Sequence, residues 1–213
     1  MAEKCASEGA DVLIIGRSEN KLKMVSDQFD NIAPFVCDIT NGDDLEKLKD
    51  HMAGSGIDIL VNNAGVYKNI KIANTNENDY DLIFDTDMKA AYFVTQKLLP
   101  LMNRGGEVLN IVSDTAFINS TNPYHLAKAA MAAFTRGLAK ELLEYEIRVN
   151  GIAPGPTLSE INTTDPQNGL QRTDKYRVLL AEEVANVAWF LISDMAIAIN
   201  GQMICCDEGD SLR

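Results

Sequence analysis

Long apolar runs are missing from this chain. No stretch reaches the ~18 consecutive apolar residues that a membrane-spanning helix needs, so a membrane partner is not expected. The amino-terminal MAEKCASEGA has no basic-then-apolar leader pattern, which points to a cytoplasmic protein. Cysteine is scarce: Cys5, Cys37, Cys205 and Cys206 form no C-x-x-C pair and have no metal-ligand spacing. Cys205 and Cys206 are neighbours in an apolar run and point to opposite faces of a strand. Reduced structural thiols fit best. The two histidines, His51 and His125, are too few and too scattered for a metal site, and no metal is expected. Positive charge is outnumbered, 19 basic against 31 acidic residues, for a net charge of −12. Nucleic acid and anionic membrane surfaces would be repelled. Repeats, low-complexity tracts and linkers are also absent.

The composition that remains, 46% hydrophobic and 23% charged, is that of an ordinary globular protein, and 213 residues suffice for one well-buried domain over 1–213. Strand-like runs fall at 11–16, 33–38, 58–61, 107–112, 147–152 and 202–206. Helical patterns fall between them, at 19–29, 42–54, about 76–102, about 122–145 and 181–193. In the last, Val184, Val187, Ala188 and Leu191 form one apolar stripe. Strands alternating with helices of this length predict βαβ units, hence an α/β fold with a doubly wound parallel sheet.

The chemistry concentrates in YHLAK. Tyr124 and Lys128, four residues apart, share one helix face. An ammonium beside a phenol lowers the phenol's pKa, and a tyrosine so tuned can exchange a proton with an alcohol or carbonyl oxygen. Ser113, eleven residues upstream, can hold that oxygen. His125 follows the tyrosine, points off its face and reads as structural or at most substrate-lining.

Around this segment NNAG (Asn62 to Gly65), LNIVS (Leu109 to Ser113), RVNGIAPG (Arg148 to Gly155) and GQMICCDEG (Gly201 to Gly209) occur in order. Together they resemble the short-chain dehydrogenase/reductase family, and within it members similar to 3-oxoacyl-carrier-protein reductase. The resemblance runs from about Ala2 to about Gly209. It implies a Rossmann-like fold, a nicotinamide cofactor, and reduction of a carbonyl to an alcohol. Tyr124 would be the general acid, with Lys128 depressing its pKa and binding the nicotinamide ribose, and Ser113 would orient the substrate oxygen. Implied cofactor contacts are Arg17, Asp38, Asn62, Ala64, Gly65, Tyr124, Lys128, Pro154, Gly155, Thr157 and Ser159. Gly16 followed by Arg17, rather than by an acidic residue, suits the 2′-phosphate of NADP over NAD. Partners implied are a small-molecule carbonyl or acyl thioester and further copies of the chain. The alanine-rich helices at about 76–102 and 122–145 would form a homodimer or homotetramer.

The departures from the family pattern carry their own expectations. The opening MAEKCASEGADVLIIGR resembles the family segment directly after its TGxxxGxG turn, so a truncated N-terminus is expected, with the first strand and glycine-rich turn missing. Gly9, in a helix-to-strand turn, and Gly16 cannot replace that turn. The absent strand would lie at the centre of the sheet, so either stability falls or the strands at 11–16 and 58–61 close together. Asp87 stands where the family has an asparagine; its charge opposes lowering of the Tyr124 pKa and slows the proton relay. DEG at Asp207 to Gly209 replaces the family's DGG, and the stretch 156–181 is short, polar and without an apolar pocket. These departures favour an alternative: a catalytically silent relative serving as a folding or interaction module.

Overall fold

Polar side chains placed just ahead of the apolar-periodic runs fix where the helices begin. Ser18 accepts from the Lys21 amide, Asn41 from those of Asp43 and Asp44, Asn76 from that of Asp79, and Asn122 from that of Tyr124. The computed structural model describes residues 1–158 and 178–212. In chain order the elements are α1 (Ala2–Ser7), β1 (Val12–Gly16), α2 (Glu19–Ser26), β2 (Ile32–Val36), α3 (Gly42–His51) and β3 (Ile57–Asn62). Then come α4 (Glu77–Phe84), a π-helical turn (Asp85–Lys89), α5 (Ala90–Leu98), β4 (Met102–Ile111), α6 (Pro123–Glu141), β5 (Arg148–Pro154), α7 (Ala181–Ile192) and β6 (Met203–Cys206). The expected elements are all present, and Gly9 adopts the left-handed backbone (φ 91°) of a helix-to-strand turn.

Among the described residues all strand pairs are parallel, but they form two sheets. One is β1–β2; the other runs β3–β4–β5–β6. Of the two outcomes expected for β1 and β3, closing together is not the one seen: they do not pair. They nevertheless sit in the same two layers. Leu13 and Ile15 of β1 pack with Leu60, Val94 and Val108 on one side, and Val12 packs with Ile59, Val61 and Leu109 on the other. All five residues of β1 are only half-buried, although four are large and apolar. In β5, flanked on both edges, five of seven are buried.

The two faces are covered by helices. Leu45 and Leu48 of α3, Val94 and Leu98 of α5, and Leu138 and Leu142 at the end of α6 fill one layer; Ala188, Leu191 and Ile192 of α7 fill the other. Arg148 ties the second layer together. Its guanidinium pairs with buried Glu107 and donates to the carbonyls of Leu191, Ala196 and Ile199 (3.3, 2.9 and 3.1 Å), supplying a partner to one of the last carbonyls of α7 and to two in the segment that follows it. Among the described residues no helix is long and apolar enough to cross a membrane. The four cysteines carry free thiols.

Candidate active site

Parallel strands bring all their carboxyl ends to one edge, and the residues just beyond those ends build the site. Asn122 starts the helix that carries the tyrosine. Its carbonyl oxygen accepts from the Tyr124 amide at 2.8 Å and its amide donates to the Lys68 carbonyl at 3.1 Å. One residue thus caps α6 and fastens the 63–71 loop beside it. Tyr124 sits in the first turn, with the Tyr67 ring edge-on at 5.0 Å between centroids. Lys128, one turn later, is buried; its ammonium lies 5.6 Å from the centre of the Tyr124 ring.

That ammonium is engaged elsewhere. It donates to the Ile111 carbonyl at 3.1 Å and lies 3.1 Å from Oδ1 of Asp87, which is fully buried on the π-helical turn. The other Asp87 oxygen accepts from the Val66 amide at 2.9 Å. Gly65 makes this packing possible: a Cβ there would come within 2.7 Å of Asp87 Oδ1 and 3.4 Å of Lys128 Nζ. Burial pushes the Asp87 carboxyl up while the ammonium pulls against it.

The expected lowering of the Tyr124 pKa is not what the free protein has. Burial raises it, the Asp87 carboxylate raises it further, and a hydrogen bond with Ser113 only partly offsets the two. Ser113 lies just past the end of β4. Its hydroxyl donates to Asp114 at 2.9 Å and accepts from the Thr115 hydroxyl at 2.9 Å. Asp114, raised by burial, is a site neighbour that no spacing in the sequence singled out. Ser113, Tyr124, Lys128 and Asp87 therefore do come together.

The implied cofactor residues lie along the same edge. Asn62 ends β3, and its side chain turns inward, donating to Thr95 (3.0 Å) and Asn110 (2.8 Å); Asn110 in turn donates to Thr135 (2.9 Å). This buried chain locks α5, β3, β4 and α6 together, and of its members sequence reading noticed only Asn62. Ala64, exposed, and Gly65, half-buried, come next as irregular backbone. Pro154 ends β5 beside Cys206, and Gly155 comes so close to Asp207 that a Cβ would sit 3.0 Å from its side chain. The Thr157 hydroxyl donates to the Gly155 carbonyl at 2.9 Å. Ser159 and most of the 156–181 stretch lie outside the described residues. At the ends of β1 and β2, exposed Arg17 helps hold the Asp38 carboxyl below its usual range, behind the larger effect of the Thr40 hydroxyl and amide (2.7 and 2.9 Å). His125 has a buried Nδ1 with no hydrogen-bond partner. No group of three or more metal-ligating side chains occurs among the described residues.

The donor chemistry a nicotinamide riboside calls for is present beside Tyr124, where the Lys128 ammonium can donate to ribose hydroxyls. The family's glycine-rich phosphate turn does not occur in these 213 residues. A parallel sheet with a serine, tyrosine and lysine at its carboxyl edge defines the class as an α/β oxidoreductase working with a nicotinamide cofactor. The chain belongs to the short-chain dehydrogenase/reductase family. The family model described as enoyl-(acyl carrier protein) reductase matches residues 1–211. The chain is 31% identical to a 3-oxoacyl-acyl-carrier-protein reductase of Thermotoga maritima, over 96% of this chain and 89% of that one. It is likewise 31% identical to dehydrogenase/reductase SDR family member 6 of Aquarana catesbeiana, over 97% and 89%. A doubly substituted variant of a Serratia marcescens short-chain dehydrogenase/reductase superposes with a TM-score of 0.88 at 25% identity, covering 99% of this chain and 91% of that one.

Proposed function

We propose that the protein reduces a small-molecule carbonyl or 3-oxoacyl thioester to the alcohol, using NADP in preference to NAD. The observation that carries this reading is the convergence of Ser113, just past the end of β4, with Tyr124 and buried Lys128 on the first turns of α6, at the carboxyl edge of the sheet. The cofactor, when bound, supplies the hydride; the chain handles the proton. Ser113 holds the substrate oxygen, and Tyr124 gives it a proton as negative charge develops there. Lys128 donates to the Ile111 carbonyl and lies in charge contact with Asp87, and its remaining ammonium hydrogens can reach a ribose hydroxyl.

NADP preference is supported by Arg17, exposed at the end of β1 where a 2′-phosphate would be received. Asp38 is the adenine-side neighbour, and Asn62, Ala64, Gly65, Pro154, Gly155, Thr157 and Ser159 are proposed as the remaining cofactor contacts. Assembly into a homodimer or homotetramer is supported by Tyr80, Leu82, Tyr92, Phe93 and Leu126, large apolar side chains left exposed on α4, α5 and α6. A cytoplasmic location agrees with the free thiols.

The test is binding followed by turnover. Thermal melting with millimolar NADPH or NADH should give a rise that is larger for NADPH. Loss of NADPH absorbance should then accompany addition of a 3-oxoacyl thioester or one of a panel of ketones. No rise with either cofactor, together with no turnover, would overturn the reading.

A further inference from the structure

Tyr124 and Lys128 share a helix face, yet the ammonium makes its contacts with other groups. Two sit within 3.1 Å, the Ile111 carbonyl and the Asp87 carboxylate, while the phenol ring centre is 5.6 Å away. Lys128 and Asp87 are 3% and 0% exposed, so water screens neither charge. We propose that Asp87 is a positioning residue that captures the Lys128 ammonium and keeps the Tyr124 phenol protonated, biasing the site towards giving a proton rather than taking one. This rests on the reductase reading and deepens it by naming the favoured direction.

The architecture around Asp87 is built for this contact. The π-helical turn carries the carboxylate inward, the Val66 amide fixes one oxygen, and Gly65 leaves the space in which the other meets the ammonium. To the phenol, a paired ammonium and carboxylate present little net charge, whereas a lone ammonium would favour phenolate. The other ionisable groups facing Tyr124 offer it no positive charge: Asp114 and Tyr67 both oppose phenolate, and the His125 imidazole is pushed towards its neutral form by burial. In carbonyl reduction the phenol O–H bond breaks as the substrate O–H bond forms, and the phenolate then regains a proton from solvent. The reverse oxidation needs phenolate at the start. A device that holds the phenol protonated therefore extends reduction to higher pH and delays oxidation to higher pH.

The proposal can be tested in the free protein, without cofactor, by monitoring the ring carbon next to the phenol oxygen in tyrosine-labelled samples as pH rises. Tyr124→Phe assigns the signal. Asp87→Asn keeps an oxygen for the Val66 amide and removes the charge; it should lower the Tyr124 transition by about one pH unit or more, at least ten-fold more phenolate at a given pH. Lys128→Met in the Asp87→Asn background should reverse that gain. Asp87→Ser serves as a second charge-free variant should Asn disturb folding, as judged by circular dichroism. Titration of both variants together with the wild type would overturn the proposal. So would an experimental wild-type structure with Lys128 Nζ on the Tyr124 hydroxyl instead of on Asp87; the same structure with Nζ on Asp87 supports it. These readouts stand apart from cofactor binding and turnover, so failure of the reductase reading is seen separately.

Discussion

Tyr124 has one atom that does chemistry, and removing it separates catalysis from architecture. Tyr124→Phe keeps the ring against Tyr67. The expected outcome is a loss of roughly a hundred- to ten-thousand-fold in turnover, with an unchanged far-ultraviolet circular dichroism spectrum. Steady-state rates of the two proteins on one substrate check it. Gly65 tests the space beside Asp87. Gly65→Ala puts a Cβ 2.7 Å from Asp87 Oδ1, which must move, and with it the contact to Lys128. We expect a stability loss of about 1–3 kcal/mol by urea unfolding. The pairing of Asp87 with Lys128 could not be read from the sequence. It depends on a side chain 41 residues away in sequence reaching Lys128 across the site. Glu107 belongs at this scale too. Burial raises its pKa from 4.5 to about 7 despite the Arg148 guanidinium. A carboxyl whose folded value lies above its unfolded one contributes stability in the protonated state, below about 4.5, and that contribution fades as pH rises through about 7. Wild type should therefore lose stability relative to Glu107→Gln as pH rises through that interval, as measured by urea midpoints in parallel.

At the scale of elements, helix α6 owes its start to a residue that does two things. Asn122 caps the helix and holds the Lys68 carbonyl, so Asn122→Ala should cost about 1 kcal/mol through the lost cap and should also loosen the loop beside Tyr124. A fall in melting temperature accompanied by a raised KM is the expected outcome, whereas the cap alone would lower only the former. Helix starts and most strand bounds were legible to within a residue or two, because a buried strand or helix face must repeat at its own period whatever surrounds it, while α2, α3 and α6 end three or four residues before the expected 29, 54 and 145. Two features were not. The helix expected over about 76–102 is interrupted at Asp85–Lys89 by a π-helical turn, which leaves no mark on apolar spacing yet carries Asp87. Strand β4 begins at Met102 rather than near 107, because Met102 pairs with Ile57 across a register shift, and the Asn-Arg-Gly-Gly between reads as a turn by composition.

Across the whole molecule the sheet is divided, and the division has energetic consequences. Strands β1 and β3 contribute side chains to the same two layers, but no backbone pairing joins the two sheets. From the sequence alone, pairing of β1 with β3 and separation of the two were both open. The β1–β2 pair is held by side-chain packing and by Asn31, whose amide donates to the Ala6 and Ala10 carbonyls at 2.9 and 2.8 Å, while β4 and β5 are hydrogen-bonded on both edges. Strands with fewer backbone partners and half-exposed apolar side chains open at lower free energy. Native-state hydrogen exchange should show β1 and β2 opening as a unit, at a lower free energy and with a smaller dependence on denaturant than β4 and β5, which should exchange only through global unfolding. Equal opening free energies and equal denaturant slopes for the two sets would mean that the molecule behaves as one cooperative sheet in spite of the break.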